Sequence, residues 1–199
     1  MKLVLATRNA GKIGEQELAL AGCSVELIGL DRWPGLPPPE EPGPGFLENA
    51  VAKALYYHRA TGLPAVGEDS GLEVDALGGE PGVLSARWLG KQAPYAVKNA
   101  RLLERLSGLS GEQRRARFVS AVALAAGGEV VFRVVESCEG RIAEQPRGTG
   151  GFGYDPVFFC PLIGKTLAEA TPEEKNRVSH RGKAMARLRD YLDQRGARA

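Results

Sequence analysis

Two short stretches bring together residue types that handle phosphate chemistry. Thr7-Arg8-Asn9-Ala10-Gly11-Lys12 offers hydroxyl, guanidinium, amide and ammonium donors between an apolar run and the start of a helical pattern. The first backbone N–H groups of a helix have no intrahelical acceptor and favour anions. The same residues also describe an ordinary helix cap flanked by two solvated cations, so the turn alone does not decide between phosphate site and cap. Glu68-Asp69-Ser70-Gly71 is the second stretch, and the spacing predicts an acidic turn in which Gly71 permits a tight bend. Magnesium takes hard oxygen ligands, one or two carboxylates with substrate phosphates supplying the rest. Asp69 fits that need, and Glu40 or Glu41 of a proline-rich loop adds a second candidate carboxylate.

Other motifs read less directly. Gly148-Thr149-Gly150-Gly151-Phe152-Gly153 matches the dinucleotide pattern G-x-G-x-x-G, but the pattern must open a helix. Here Tyr154-Asp155-Pro156 and then an apolar run follow, which reads as extended chain because proline lacks an N–H and fixes φ. Those glycines suit close approach to a flat ligand, with Phe152 or Tyr154 as a stacking ring or as a core anchor. Gly164-Lys165-Thr166 imitates the end of a phosphate-binding Walker loop, yet Phe159 stands where that loop needs its first glycine. Lys53 sits on a predicted helix and serves either as a phosphate contact or as a solvent-facing lysine. His180-Arg181 stands at the predicted start of the last helix, as donors toward a ligand or as a charged cap. His58 shares the face of Leu47, Val51 and Ala54 and reads as a histidine at the core edge.

The elements that must position these residues follow from periodicity. Leu3–Ala6 reads as a buried strand, Ile13, Leu18 and Leu20 as the apolar face of a helix, and 24–30 as a second strand. Prolines and glycines from Pro34 to Pro44 enforce an irregular loop. A helix begins at Phe46 and stops near Gly62. Strand ends at 65–67 and 72–74 flank the acidic turn, and Leu102, Leu103 and Leu106 mark another helix. Runs 118–126 and 130–137 around Gly127-Gly128 predict a hairpin, so the sheet is not all parallel. Thr171, Pro172 and Glu174 form a capping box, and Met185, Leu188 and Leu192 line the final helix.

Bulk properties narrow the function classes. With 199 residues and 43% apolar content the chain suits one domain, 1–199, with its own core. Twenty-six Lys and Arg against 24 Asp and Glu give +2, too near balance for wholesale binding to nucleic acid or membrane. The three cysteines, Cys23, Cys138 and Cys160, are far apart in sequence, match neither a disulfide framework nor a metal-ligand spacing, and read as reduced thiols of a cytoplasmic protein. The apolar N-terminal run is too short for a signal peptide or a membrane span.

Five segments, in order, resemble the inosine triphosphate pyrophosphatase (Ham1-like) family: 5–12, Phe46-Leu47-Glu48-Asn49-Ala50, Glu68-Asp69-Ser70-Gly71-Leu72, Gly150-Gly151-Phe152-Gly153-Tyr154-Asp155-Pro156 and Ser179-His180-Arg181-Gly182. The resemblance spans nearly the whole chain. It implies a mixed α/β fold with a long curved sheet and helices forming two lobes around a central cleft, and a homodimer. It implies hydrolysis of ITP, dITP and XTP to monophosphate and diphosphate with Mg²⁺. By position, Thr7, Arg8, Asn9, Ala10, Gly11 and Lys12 match the triphosphate contacts, Asp69 the metal ligand and general base, and Ser70 a further substrate contact. Glu40 matches the second metal carboxylate, with Glu41 as its substitute. Phe152, Gly153, Tyr154, Asp155, Lys175, His180 and Arg181 match the group that grips base and sugar. Arg8 stands where glycine is frequent in the family, and Glu68 where aspartate is.

Two rivals remain at this level. One is a related pyrophosphatase acting on dTTP, UTP or modified pyrimidine nucleotides, against which the Gly-Gly-Phe-Gly-Tyr-Asp stretch argues. The other is a nucleotide or RNA binding module without catalysis, against which Asp69 and the near-neutral charge argue.

Overall fold

In the computed structural model, residues 1–39 and 43–196 are described, so Glu40 and Glu41 lie outside the described residues. The apolar run near the N-terminus is a strand, β1 (Lys2–Leu5), and the following helix α1 (Ala10–Ala19) is capped by the Asn9 side chain. Next comes β2 (Glu26–Ile28), shorter than the 24–30 run predicts. α2 (Phe46–Thr61) stops at Gly62, whose φ of 71° is the left-handed conformation that ends helices.

β3 (Ala65–Val74) corrects the sequence reading. The predicted acidic turn does not exist: Glu68, Asp69, Ser70 and Gly71 lie inside one continuous strand of ten residues. The glycine that matters is Gly67, where an added Cβ would stand 2.1 Å from the Ala50 carbonyl oxygen and 2.5 Å from the Ala54 nitrogen. α2 therefore lies directly on the strand backbone, a packing that any side chain at 67 would prevent.

α3 (Tyr95–Arg105) precedes β4 (Arg115–Ala126) and β5 (Glu129–Ile142). These two flank Gly127 and Gly128, whose φ values of 63° and 89° suit a two-residue hairpin turn. Two short strands, β6 (Phe158–Cys160) and β7 (Lys165–Thr166), lead to α4 (Pro172–Val178) and α5 (His180–Gly196). The capping box of α4 forms as the sequence predicts, Thr171 and Glu174 bonding reciprocally. Among the described residues, seven strands form one sheet in the order β2-β1-β3-β4-β5-β6-β7. β1 is parallel to β2 and β3, and β6 is antiparallel to β5 and β7, so the expected mixed α/β architecture is present.

The chain divides into two compact units. The first comprises Met1–Asp69, Ser120–Glu136 and the residues from Arg181 on. One of its cores joins Leu3, Val66, Val122 and Leu124 of the strands to Ala19 and Leu20 at the end of α1 and to Met185, Leu188 and Leu192 of α5. A separate core packs Val4, Ala6, Ile28, Leu30 and Ala65 against Tyr57 of α2. β1 and β3 thus present one face to α1 and α5 and the other to α2, because successive side chains of a strand point to opposite faces.

The second unit comprises Ser70–Val119 and Ser137–His180. Its core gathers Leu72, Leu102, Leu106, Phe118, Ile142, Tyr154, Phe158 and Leu167. Buried Arg114 stitches this unit through carbonyls alone, donating from Nε to Ile142 O at 2.7 Å and from its terminal nitrogens to Leu106 O, Leu109 O and Ala143 O. Burial lowers its pKa, the Glu144 charge acting in the opposite sense. Cys138 and Cys160, remote in sequence, come together across neighbouring strands with Sγ atoms 3.8 Å apart, and all three cysteines are free thiols.

Candidate functional site

The strand-to-helix turn organises itself first. Asn9 Oδ1 accepts from the Lys12 N–H at 3.1 Å, and the Asn9 N–H donates to Thr7 Oγ1 at 3.2 Å. This is the cap that the sequence allows, and it turns the start of α1 toward β3. Lys12 crosses to that strand, with Nζ 2.8 Å from Glu68 Oε2. Arg8 points elsewhere: its Nη2 donates to Trp33 O at 3.2 Å and Leu36 O at 2.7 Å.

On the face of β3 toward α1 and α5, Glu68 is the hub. Its carboxylate is only 1% exposed and takes Lys12 on one oxygen. The other oxygen accepts from Ser120 Oγ at 3.0 Å and from Arg181 Nε and Nη2 at 3.2 Å each. Arg181 extends the network to Glu15 of α1 through Nη1. Burial opposes the Arg181 charge, but Glu68 and then Glu15 outweigh it and hold its pKa above the ordinary guanidinium value.

Asp69, the next residue, faces α2. Its Oδ1 lies 3.2 Å from Lys53 Nζ and its Oδ2 accepts from Asn49 Nδ2 at 3.0 Å. Lys53 also donates to the Glu68 carbonyl oxygen at 3.2 Å, so one ammonium pins side chain and backbone of adjacent residues. Of the two sequence readings for Lys53, the solvent-facing one is excluded: its side chain is 12% exposed. Asn49 is held from behind by the Gly43 N–H, which donates to its Oδ1 at 2.9 Å. Asp69 is thus an oriented carboxylate whose two oxygens each have a donor.

Sequence reasoning did not single out Glu15, Asn49 or Ser120. A signal existed for two of them: Asn49 interrupts the apolar face of α2 beside Phe46 and Ala50, and Ser120 interrupts the apolar run of β4, both fully buried. A buried polar side chain on an apolar face is there because something bonds it. Glu15 lies three residues beyond Lys12 on one helical face, a weaker hint.

A separate group belongs to the second unit. Gly151, at φ 66°, lies so close to Asp155 that an added Cβ would stand 2.2 Å from Oδ2. The same Oδ2 accepts the Phe152 N–H at 2.7 Å and pairs with the buried Lys175 ammonium, which lies 4.8 Å from the Phe152 ring centroid. Asp155 begins a three-residue 3-10 turn and no α-helix follows the glycines, in keeping with the rejection of a dinucleotide fingerprint. Tyr154 is a core residue, 2% exposed, donating to Ser85 O at 3.0 Å and meeting Tyr95 edge to face. Burial, with the Tyr95 phenol second, raises its pKa. Asn99 Nδ2 donates to Gly153 O at 3.1 Å. His180 stacks on Phe118 at 4.7 Å with 9° between the rings. His58, in the first unit, bonds Leu63 O through Nδ1 at 2.7 Å and accepts the Gly128 N–H on Nε2 at 3.0 Å, the structural role that its position predicts.

Among the described residues no cluster of three or more His, Cys, Asp or Glu side chains forms a metal cage. The Asp69 carboxylate, each of whose oxygens holds a donor and has a second lone pair, fits a hard divalent ion that takes most of its ligands from substrate and water. No helix among the described residues is long and apolar enough to cross a membrane.

Such a mixed α/β protein, with a capped strand-to-helix turn paired to Glu68 and an oriented carboxylate at Asp69, has the residue types of a phosphate-handling protein. The chain is a member of the Ham1 family, whose model matches residues 3–191. It is 53% identical over 194 residues to a protein of Thermus thermophilus named dITP/XTP pyrophosphatase, covering 97% of this chain and 93% of that one. A Geobacillus kaustophilus protein of the same name is 48% identical, covering 97% and 95%. Among solved structures, a HAM1 protein from Coxiella burnetii superposes with a TM-score of 0.86 at 38% identity, covering 98% of this chain and 99% of that one.

Proposed function

We propose that the chain is a Mg²⁺-dependent pyrophosphatase that hydrolyses non-standard purine nucleoside triphosphates, ITP, dITP and XTP, to monophosphate and diphosphate, with 1–199 acting as one catalytic domain. Family membership and the names of the relatives support the reaction class. The observation that carries the chemistry is the alternation of Glu68 and Asp69 on β3, with Lys12 held on one carboxylate and Lys53 on the other.

Lys12 is the cation that a triphosphate takes over. Its ammonium needs an anion in that low-dielectric setting, and phosphate oxygens replace the Glu68 oxygen without leaving the charge bare. Glu68 keeps Arg181 and Ser120. Asp69, fixed by Asn49 and Lys53, orients a water and accepts its proton as the water oxygen bonds the α-phosphorus. The bond from that phosphorus to the bridging oxygen breaks, and diphosphate leaves with the electron pair. When bound, Mg²⁺ neutralises the developing charge on the phosphate oxygens. Asp69 and one of the loop glutamates, Glu40 or Glu41, are the residues that would hold it.

The resemblance gives the base and sugar to Phe152, Gly153, Tyr154, Asp155, Lys175, His180 and Arg181, with Ser70 as a further substrate contact. Hypoxanthine and xanthine present an acceptor at position 6 where adenine presents a donor, so donor groups select against ATP. GTP is rejected if its 2-amino group finds no acceptor. The resemblance further supports a cytoplasmic homodimer, which sedimentation would test. Diphosphate release from ITP, XTP, dTTP, GTP and ATP, with and without Mg²⁺, tests the whole reading. Equal rates on ITP and GTP sink the selectivity, preference for dTTP favours the pyrimidine rival, and absence of release from every nucleotide sinks the enzyme.

A further inference from the structure

The carbonyl of Gly153 is held from α3. Asn99, only 6% exposed, donates from Nδ2 to Gly153 O at 3.1 Å, and because the partner is a carbonyl oxygen the amide must present its nitrogen there. Its Oδ1 is buried and has no hydrogen-bond partner among the described residues. An unmet buried acceptor costs stability, so packing alone favours an apolar side chain here unless the bond to Gly153 has a use of its own.

Gly153 and Tyr154 are the middle residues of a turn that closes with the Asp155 N–H donating to Phe152 O at 3.3 Å. Gly153 has φ 71° and Tyr154 has φ −91° and ψ 4°, the pattern of a turn whose second residue is left-handed. The peptide between them is trans, so its C=O and N–H point in opposite directions. With the carbonyl fixed toward α3, the Tyr154 N–H is directed away from that helix. No acceptor among the described residues takes this N–H. Backbone donors are nearly always paired, so this one calls for an acceptor from outside the chain. Solvent reaches the turn, Gly151 being exposed and Phe152 and Gly153 half-buried. On the α3 side the turn is backed by Tyr95, whose ring meets Tyr154 edge to face at 5.3 Å and whose Cε1 lies 3.6 Å from where a Cβ at Gly153 would stand.

We infer that Asn99 is a specificity-determining positioning residue: it fixes the Gly153–Tyr154 peptide so that the Tyr154 N–H is held as a donor for the 6-carbonyl of the base. It acts through that peptide and not on the nucleotide. The inference rests on the proposed pyrophosphatase reading for its ligand, but the fixed peptide has an independent readout. A donor at this place favours hypoxanthine and xanthine, which accept at position 6, over adenine, which donates there.

The test is Asn99→Asp, which keeps the shape and replaces the donor by an acceptor, so that a carboxylate oxygen faces the Gly153 oxygen and the peptide tilts. Nuclear magnetic resonance of the labelled, ligand-free protein reads the Gly153 carbonyl carbon, and steady-state kinetics read kcat and KM for ITP and ATP. The Gly153 carbonyl resonance is expected to move toward that of an unbonded carbonyl. KM for ITP should rise about tenfold, the size of one neutral hydrogen bond, with kcat within about twofold because the groups around Asp69 are untouched. KM for ATP should stay within about twofold, so the preference for ITP shrinks about tenfold. A moved carbonyl with an unchanged ratio of ITP to ATP efficiency makes Asn99 a structural residue only and overturns the inference. An unmoved carbonyl overturns it whatever the kinetics. Should the protein release diphosphate from no nucleotide, the pyrophosphatase reading falls separately, and calorimetric affinities for ITP and ATP replace the kinetics: loss of the preference for ITP in Asn99→Asp supports the inference, and an unchanged ratio overturns it. If Asn99→Asp does not fold, Asn99→Ser, whose hydroxyl is too short to reach Gly153 O, takes its place in the same measurements with the same outcomes deciding.

Discussion

Lys12 and Glu68 form an ion pair of 2.8 Å between the first turn of α1 and the middle of β3, and the acid is the more deeply buried partner, 1% exposed against 17%. The asymmetry decides what each substitution does. Glu68→Gln leaves Lys12 and Arg181 beside a neutral amide, and breaking a buried pair from one side costs about 3–5 kcal/mol. Lys12→Met leaves Glu68 with Arg181 and Ser120, so its cost is smaller, about 1 kcal/mol. Urea denaturation of the two variants checks the order. Equal losses would mean that Lys12 is needed for folding and is not available to a ligand.

Asp69 differs from Glu68 in having its surroundings built for orientation. Asp69→Asn removes the proton acceptor and its charge, and diphosphate release from ITP should fall by about 10³-fold or more with the fold intact by circular dichroism. Asn49→Ala leaves the carboxylate but removes the donor to its Oδ2, and release should fall by about 10–100-fold. An Asp69→Asn enzyme with near-normal turnover would remove this residue from the chemistry.

The contrast between these two acids also shows what a sequence reader can and cannot see. Helix ends were legible because their signals are local: Gly62 after α2, and Thr171 with Glu174 before α4. Gly71 in an acidic stretch predicts a bend at 68–71, whereas the pairing of β3 in the sheet keeps the chain extended. Straightening it changes the chemistry, since alternation along a strand sends Glu68 to α1 and α5 and Asp69 to α2. The partners that result, Lys12, Ser120 and Arg181 for one acid and Asn49 and Lys53 for the other, come from remote segments, and only the polar interruptions of apolar runs at Asn49 and Ser120 hint at them locally. Arg8 shows the converse: its type suited phosphate, and only the fold reveals that two carbonyls hold it.

Gln16 is 1% exposed on the α1 face that carries Ala19 and Leu20, and neither its Oε1 nor its Nε2 has a hydrogen-bond partner among the described residues. An unsatisfied buried amide costs about 1–3 kcal/mol, and replacing it by an apolar group of similar size recovers part of that. Gln16→Leu should therefore raise stability by about 1 kcal/mol, read as a higher urea midpoint with unchanged slope. A lower midpoint would show that the amide is bonded in solution.

Arg114 stands on the opposite side of that argument, a buried cation whose four acceptors are all main-chain carbonyls. Arg114→Leu fills the space but strips donors from the Leu106, Leu109, Ile142 and Ala143 carbonyls, a loss of about 3 kcal/mol or more. Arg114→Lys supplies a compact ammonium where a planar fork is needed and should recover only part of it. Thermal melts give the totals. Retained stability in Arg114→Leu would mean that water replaces the guanidinium.

Acid should loosen the start of α4 through Glu174. Its pKa lies below the ordinary 4.5, chiefly because the Lys165 ammonium bonds it and next because the Thr171 N–H does. A carboxyl whose folded pKa is depressed releases its proton more readily in the folded state, so the unfolded state binds more protons between the two values. The stabilisation is complete above the unfolded pKa and is lost as pH falls through the folded one. Glu174→Gln removes the charge at every pH. The difference in thermal midpoint between the parent and this variant should be constant at neutral pH, shrink from about pH 5 downward, and close once Glu174 is protonated in both states. Lys165→Met should show the same closure, since it removes the partner that depresses the pKa. A midpoint difference that persists undiminished into strong acid would mean that geometry at the cap, and not the charge on Glu174, is what holds the helix start.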